Sequence, residues 1–388
     1  MKKIKQTGAA ICMLLLAACQ KDAKLTDNAT EFSANETSRA ASASSSVSDN
    51  TVGHVYTLTN AAGGNRVMDY TRSSAGTLTF SASYATGGNG TGSGLGNQGA
   101  VILAKDKEIL LAVNAGSNSV SSFTISDNGL TLVSTVSSGG MRPVSITQYG
   151  NIVFVLNAAG TNNISGLYLM DDGTLHPIAN STRPLTAAST GPAQVSFVND
   201  GSVLVITEKA TNKIVTYTVS NMGIPGAMHS LTSSSATPFG FAVGKNGNVF
   251  VSEAVGGAPG ASVLSSYAIG YNGSIMLVDG SVGAGQSAAC WVAITNNGKY
   301  AYTTNTANDN LSTFGITNAG GISVSEAISA ITGAGPIDAA LSNNSKYLYI
   351  LNGAGHSIDV FSVASDGTLS HQQNVPGLPV GANGLAAK

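Results

Sequence analysis

At 388 residues the chain has room for one large all-β domain or two ordinary ones. Only 10% of its residues are charged, against roughly 25% in an average soluble domain. The net charge of −2 excludes the basic field that draws nucleic acid. With 47 glycines and abundant Ser, Thr and Asn, the composition suits short strands joined by tight turns and disfavours helices.

The first element in chain order is an export signal. Lys2, Lys3 and Lys5 precede an apolar run over residues 8–18, too short for the roughly 20 residues a membrane span needs. The run ends in Leu16-Ala17-Ala18-Cys19, which resembles a bacterial lipobox. On that reading residues 1–18 are removed, Cys19 is acylated, and the protein is exported and lipid-anchored, facing the periplasm or the outer-membrane surface. An ordinary secretory signal is the alternative. Cys290 then remains as an isolated thiol, so stability is expected from packing rather than an internal disulfide. Residues 19–52 hold few large apolar side chains and read as a flexible tether. The fold is expected over residues 53–388, and the lipid is the expected contact with the membrane.

Residues 191–219, GPAQVSFVNDGSVLVITEKATNKIVTYTV, read as three strands separated by two turns, the first built on Asn199-Asp200-Gly201. The same unit recurs along the chain. Aligned on the end of the second strand, the copies place Asn60, Asn114, Asn157, Glu208, Glu253, Asn305 and Asn352 at equivalent positions, 43 to 54 residues apart. A period of that size with several strands per unit predicts a β-propeller. First strands read NQGAVIL, RPVSIT, PAQVSF, FGFAV, CWVAIT, PIDAAL and ANGLAA. The N-terminal part lacks a first strand, and residues 382–387 supply one with nothing after it. The expectation is an all-β, seven-bladed β-propeller of four-stranded antiparallel blades, its ring closed by the N- and C-terminal strands, leaving no free edge between first and last blades.

A propeller gathers the starts of its innermost strands and its second-to-third-strand loops on one face, around the channel. Candidates there are Asn97, Gln98, Arg142, Gln194, Trp291, Asp338 and Asn383. Glu208 and Glu253 depart from the Asn of the other copies, and with Arg142 they could hold a polar ligand, position a water or bind a cation. Each also has a bland reading as a turn cap or ion-pair partner. Trp291, the only Trp, either stacks on a ligand or plugs the channel. The ten-residue stretch EAVGGAPGAS, residues 253–262, is a longer loop than its equivalents and is expected to form a lip over the mouth. His54, His176, His229, His356 and His371 are scattered without metal-ligand spacing. No phosphate loop or G-x-S-x-G elbow is present, so neither a metal nor a cofactor is expected.

GPAQVSFVNDGSVLVITEKATNKIVTYTV, TPFGFAV with VSEAVGGAPGASVLSSYAI, AACWVAITNNGKYAYTTNT and GPIDAALSNNSKYLYILN together resemble the seven-bladed propeller lactonases, which include 6-phosphogluconolactonase-like and carboxymuconate cyclase-like proteins. The resemblance implies a lactone hydrolase or cycloisomerase, a carboxylated or carbohydrate-derived lactone as ligand, and a monomer. It assigns Arg142 to the carboxylate or oxyanion and Glu208 or Glu253 to the base; Gln98, Gln194, Trp291, Asp338 and Asn383 are expected to line the site from their inner-strand starts. Where the enzymes tend to carry His at an inner-strand start this chain has Gln194, which accepts no proton at neutral pH. A non-catalytic ligand- or protein-binding propeller is therefore the alternative.

Overall fold

The computed structural model describes residues 51–388. The export signal, the acylation expected at Cys19 and nearly all of the tether lie outside the described residues. Seven antiparallel sheets account for the strands, as the repeat predicts. Blade 1 joins the two ends of the chain: Asn383–Ala387 is its inner strand, followed outward by Thr51–Leu58, Arg66–Ser73 and Leu78–Ala85. Blade 2 runs from Val101–Ala104 through Ile109–Asn114 and Ser119–Ser126 to Gly129–Ser137. Blade 3 begins with Met141–Tyr149, Ile152–Ala159 and Asn163–Leu169; its outer edge is shared by two short pieces, Leu175–Pro177 and Arg183–Pro184. Blades 4 to 7 repeat the four-stranded plan from inner strands Pro192–Val198, Pro238–Val243, Ala289–Ile294 and Pro336–Leu341.

The ring closes by main-chain pairing. Val55, Tyr56 and Thr57 lie opposite Ala387, Ala386 and Leu385, and the Lys388 amide donates to the His54 carbonyl at 2.9 Å. The Arg72 guanidinium reaches across to the Lys388 carbonyl at 3.2 Å. This removes the sheet edges that an open array would expose.

Second strands are mostly buried, entirely so in ILLAVN and VLVITE, because each is covered on both faces by neighbouring blades. Outer strands are mostly exposed, as in ISVSEAISAI. Apolar packing is therefore greatest between blades: Val55 and Tyr70 of blade 1 meet Tyr349, Ile358 and Val360 of blade 7. Cys290 is fully buried. No helix among the described residues is long and apolar enough to cross a membrane.

Candidate functional site

The inner strands enter the hub through one recurring backbone device. The residue just before the irregular pairing step takes a left-handed conformation: Arg142 (φ 56°), Gly191 (56°), Thr237 (60°), Ala288 (53°) and Gly335 (62°). A register irregularity follows, at Pro143/Ser145, Pro192/Gln194, Pro238/Phe241, Ala289/Trp291 and Pro336/Asp338. Such a bulge bends the strand and re-aims the side chain beside it. Ser145, Gln194, Gly240, Trp291 and Asp338 thus stand at equivalent stations around the channel.

Most of these stations fasten one blade to the next. Ser145 accepts from the Val195 amide of blade 4 at 3.2 Å. Gln194 clamps Phe241 of blade 5, accepting from its amide at 2.7 Å and donating to its carbonyl at 3.0 Å. Asp338 accepts from the Leu385 amide of blade 1 and from the Ala339 amide at 2.8 Å. Burial, partly offset by those two amides, holds its carboxyl well above the usual range. Blade 5 has no side chain at its station, and Gln98 fills the gap. A Cβ on Gly240 would lie 2.3 Å from Gln98 Oε1. From there Gln98 donates to the Val292 carbonyl at 2.9 Å and accepts from its amide at 3.3 Å, repeating on blade 6 what Gln194 does on blade 5.

Gln98 can do so because the connection between blades 1 and 2 dips into the hub. Gly96, Asn97 and Gln98 contact four other blades. Asn97 donates to the Val144 carbonyl of blade 3, and the Gln98 amide to the Ala193 carbonyl of blade 4 at 3.1 Å. Gly96 accepts from Lys209 Nζ, and Asn97 accepts from Trp291 Nε1 at 2.6 Å. Trp291 is 1% exposed, its ring 4.9 Å from that of Phe239. The indole and the connection together fill the middle of the ring.

Two cations border this plug. Lys209 follows the second strand of blade 4; its ammonium lies 4.4 Å from the centroid of the Phe239 ring, a cation–π contact. Burial, and then the charge of Arg142, bring its pKa down to about 7. The Arg142 amide is held by Asn118 Oδ1 at 2.7 Å, while its Nε is buried without a hydrogen-bond partner. Among the described residues neither cation has a carboxylate partner.

Glu208 and Glu253 are fully buried, and each closes on groups near its own blade. Glu208 accepts from the Thr186 amide at 3.0 Å and from the Thr186 and Thr211 hydroxyls. Glu253 accepts from Ser265 Oγ at 2.8 Å and the Tyr267 hydroxyl at 2.7 Å; burial nevertheless pushes its carboxyl up. Asn114, Asn157, Asn305 and Asn352 do the same job in their blades, donating to third-strand Ser121, Ser165, Ser312 and Asp359. No hydrogen bond among the described residues joins either Glu to Arg142. Asn383 is buried at the start of blade 1's inner strand, its Oδ1 without a partner. The long loop after Glu253 carries a single-turn 3-10 segment, Val255–Gly257. It is pinned to residues 236 and 237 by three amides and to Ser287 by a fourth.

Residues 51–183 and 273–387, well over half of the chain, match the family model described as Lactonase, 7-bladed beta-propeller. The chain belongs to the seven-bladed propeller lactonase family. A candidate 6-phosphogluconolactonase from Bacteroides uniformis superposes with a TM-score of 0.69 at 19% identity, over 85% of this chain and 99% of that one. The periplasmic gluconolactonase of Pseudomonas aeruginosa gives 0.67 at 16% identity, over 85% and 98%. A second candidate 6-phosphogluconolactonase, from Bacteroides fragilis, gives 0.67 at 16%, over 88% and 99%. At these identities the likeness is one of fold. No curated relative matches the chain.

Within this lactonase propeller, sequence reasoning missed Lys209 and the plug. Lys209 adjoins Glu208 and reads as its ion-pair partner, yet neighbouring residues at a strand end point to opposite sides. Within the plug, GSGLGNQ, Asn97 and Gln98 are expected at the start of a first strand, but that strand begins only at Val101 and the stretch before it crosses the hub. A further signal is Leu95, a lone large apolar residue in a polar run that turns out to be buried.

Proposed function

We propose that the protein is an exported, lipid-anchored lactonase-family propeller that binds and hydrolyses a carboxylated, sugar-derived lactone at the mouth of the hub. The observation that carries this reading is the pair Arg142 and Lys209, two cations beside the channel with no carboxylate partner among the described residues. Unpaired positive charge at a partly buried mouth favours an anionic ligand, and a guanidinium suits a carboxylate's two oxygens. In this reading Arg142 holds the ligand's carboxylate. The Lys209 amine, neutral in part near pH 7, takes the proton from a water as that water's oxygen bonds to the lactone carbonyl carbon. The ring C–O bond then breaks and its oxygen receives the proton. Trp291 and the clamps of Gln98, Gln194 and Asp338 keep the hub rigid beneath. Glu208, through Thr186 and Thr211, fixes the turn that presents Lys209, and Glu253 fixes the neighbouring loop. The periplasmic gluconolactonase neighbour supports export, and Cys19 is the proposed point of acylation.

The second reading is a binder without turnover. It is favoured by the complete engagement of both glutamates and by the main-chain carbonyl already on Lys209. A panel of carboxylated and neutral lactones, assayed with the purified mature protein, separates the two. Hydrolysis that Lys209→Met abolishes supports the enzyme; tight binding without turnover supports the binder. Equal rates for wild type, Arg142→Met and Lys209→Met would remove the proposed site. For the anchor, Cys19→Ser is expected to move the protein from the membrane fraction to the soluble one.

A further inference from the structure

Blade 7 departs from the other blades at two positions that touch. Its third strand places Asp359 opposite Ile350, the station held by Ser121, Ser165, Ser265 and Ser312 in blades 2, 3, 5 and 6. Its fourth strand places His371 opposite the aromatic residue Phe361. At that station blades 1, 2, 4, 5 and 6 carry Phe80, Leu132, Met228, Leu277 and Val324, all exposed apolar side chains. A serine has become a carboxylate and an apolar residue an imidazole, and the two meet: His371 Nε2 is 3.3 Å from Asp359 Oδ1.

The carboxylate is built in. Asp359 is 2% exposed and accepts from the Gly333 amide at 2.7 Å, Asn352 Nδ2 at 2.9 Å and Asn374 Nδ2 at 2.7 Å. N–H donors thus meet both carboxylate oxygens. A carboxylate oxygen accepts from the imidazole form that carries its proton on Nε2, and that form leaves Nδ1 an acceptor. The pair lines an open cavity of about 480 Å³ between blades 6 and 7, walled by Ala330, Ile331, Leu369 and the edge of Phe361. The Phe361 and His371 rings meet edge to face at 5.3 Å.

We propose that this groove is a second ligand site, independent of the hub, which binds a neutral monosaccharide or related polyol. A ligand hydroxyl donates to His371 Nδ1, and a C–H face of the ring lies against the apolar wall. The site offers one imidazole acceptor and a buried negative charge, so an anionic ligand is disfavoured. No covalent step is involved.

The other blades supply the control substitutions. Asp359→Ser and His371→Leu install what equivalent stations carry, so the double variant is expected to fold and keep its hub chemistry. The test follows the His371 imidazole signals of the full mature protein by NMR while neutral monosaccharides are added to millimolar concentration, with gluconate as the anionic arm. The proposal expects saturable shifts with at least one neutral sugar and none with gluconate. It also expects at least a tenfold loss of sugar affinity in the double variant, measured by calorimetry. Absence of a response to every neutral sugar, a response to gluconate alone, or undiminished affinity in the double variant would overturn it. A double variant that fails to fold is replaced by His371→Gln, for which the same loss is required.

Discussion

Lys209 and Phe239 meet across the boundary between blades 4 and 5, the ammonium 4.4 Å from the ring centroid and its charge disfavoured by burial. The unfolded chain leaves this amine at its ordinary pKa of 10.5, whereas the fold lowers it to about 7. Between those values the unfolded state binds more protons, so this group's contribution to stability improves as pH rises from about 7 to 10.5 and is worst below 7. Lys209→Met is therefore expected to stabilise the fold by about 1 kcal/mol or more at pH 6, and by progressively less toward pH 10. Denaturant unfolding across that pH range checks it. The same variant is expected to lose the hub's anion affinity.

Arg142 makes a related trade. It holds a left-handed backbone conformation that Gly191 and Gly335 provide at equivalent places, and a side chain there costs about 1–2 kcal/mol. Glycine brings its own entropic cost, so Arg142→Gly should stabilise by a net of about 0.5–1 kcal/mol. It should at the same time weaken binding of a carboxylated ligand at least tenfold. Thermal unfolding and ligand titration on one preparation read both effects.

Gln194 makes two hydrogen bonds to Phe241 that no water can easily replace, both groups being buried. Gln194→Ala leaves a buried amide and carbonyl unmet and is expected to cost about 2–4 kcal/mol. Gln98→Ala is expected to cost a similar amount at blade 6. The two losses are not expected to add, since Gln98 rests on Ala193 and Gly240, the chain neighbours of Gln194 and Phe241; a double variant in denaturant measures the coupling.

Asp338 has its carboxyl raised by burial. Its contribution to stability is complete below the ordinary carboxylate range and is lost as pH rises through the elevated value. Asp338→Asn keeps an oxygen for the Leu385 amide and removes the charge. It is expected to gain about 1 kcal/mol over wild type at pH 8 and nothing at pH 3. Melting curves at the two pH values decide it.

The wheel was legible because every blade repeats the same polar stop after its second strand, from Asn60 to Asn352, and because the ends of the chain are out of phase by one strand. The roles at the hub were harder to read. Glu208 and Glu253 stand out in a chain with few charges, but their duty is set by Thr211 in the following turn and by Ser265 and Tyr267 on the following strand, a relation visible only once the chain is folded. Lys209 is hidden by its neighbour. Gln98 acts on blade 6, distant in sequence, because Gly240 leaves a space, and an absent side chain carries no signal. Asp359 and His371 lie beyond turns and bulges of unequal length, so their equivalence to Ser312 and Val324 emerges from strand register rather than from spacing.

Calorimetric titration of one carboxylated lactone and its uncharged counterpart into wild type and the Arg142→Met/Lys209→Met double variant tests the hub assignment most directly. The account predicts that wild type prefers the carboxylated ligand at least tenfold, about 1.4 kcal/mol, and that the double variant loses this preference while keeping its fold. Equal affinity of wild type for both ligands, or an unchanged preference in the double variant, would contradict it.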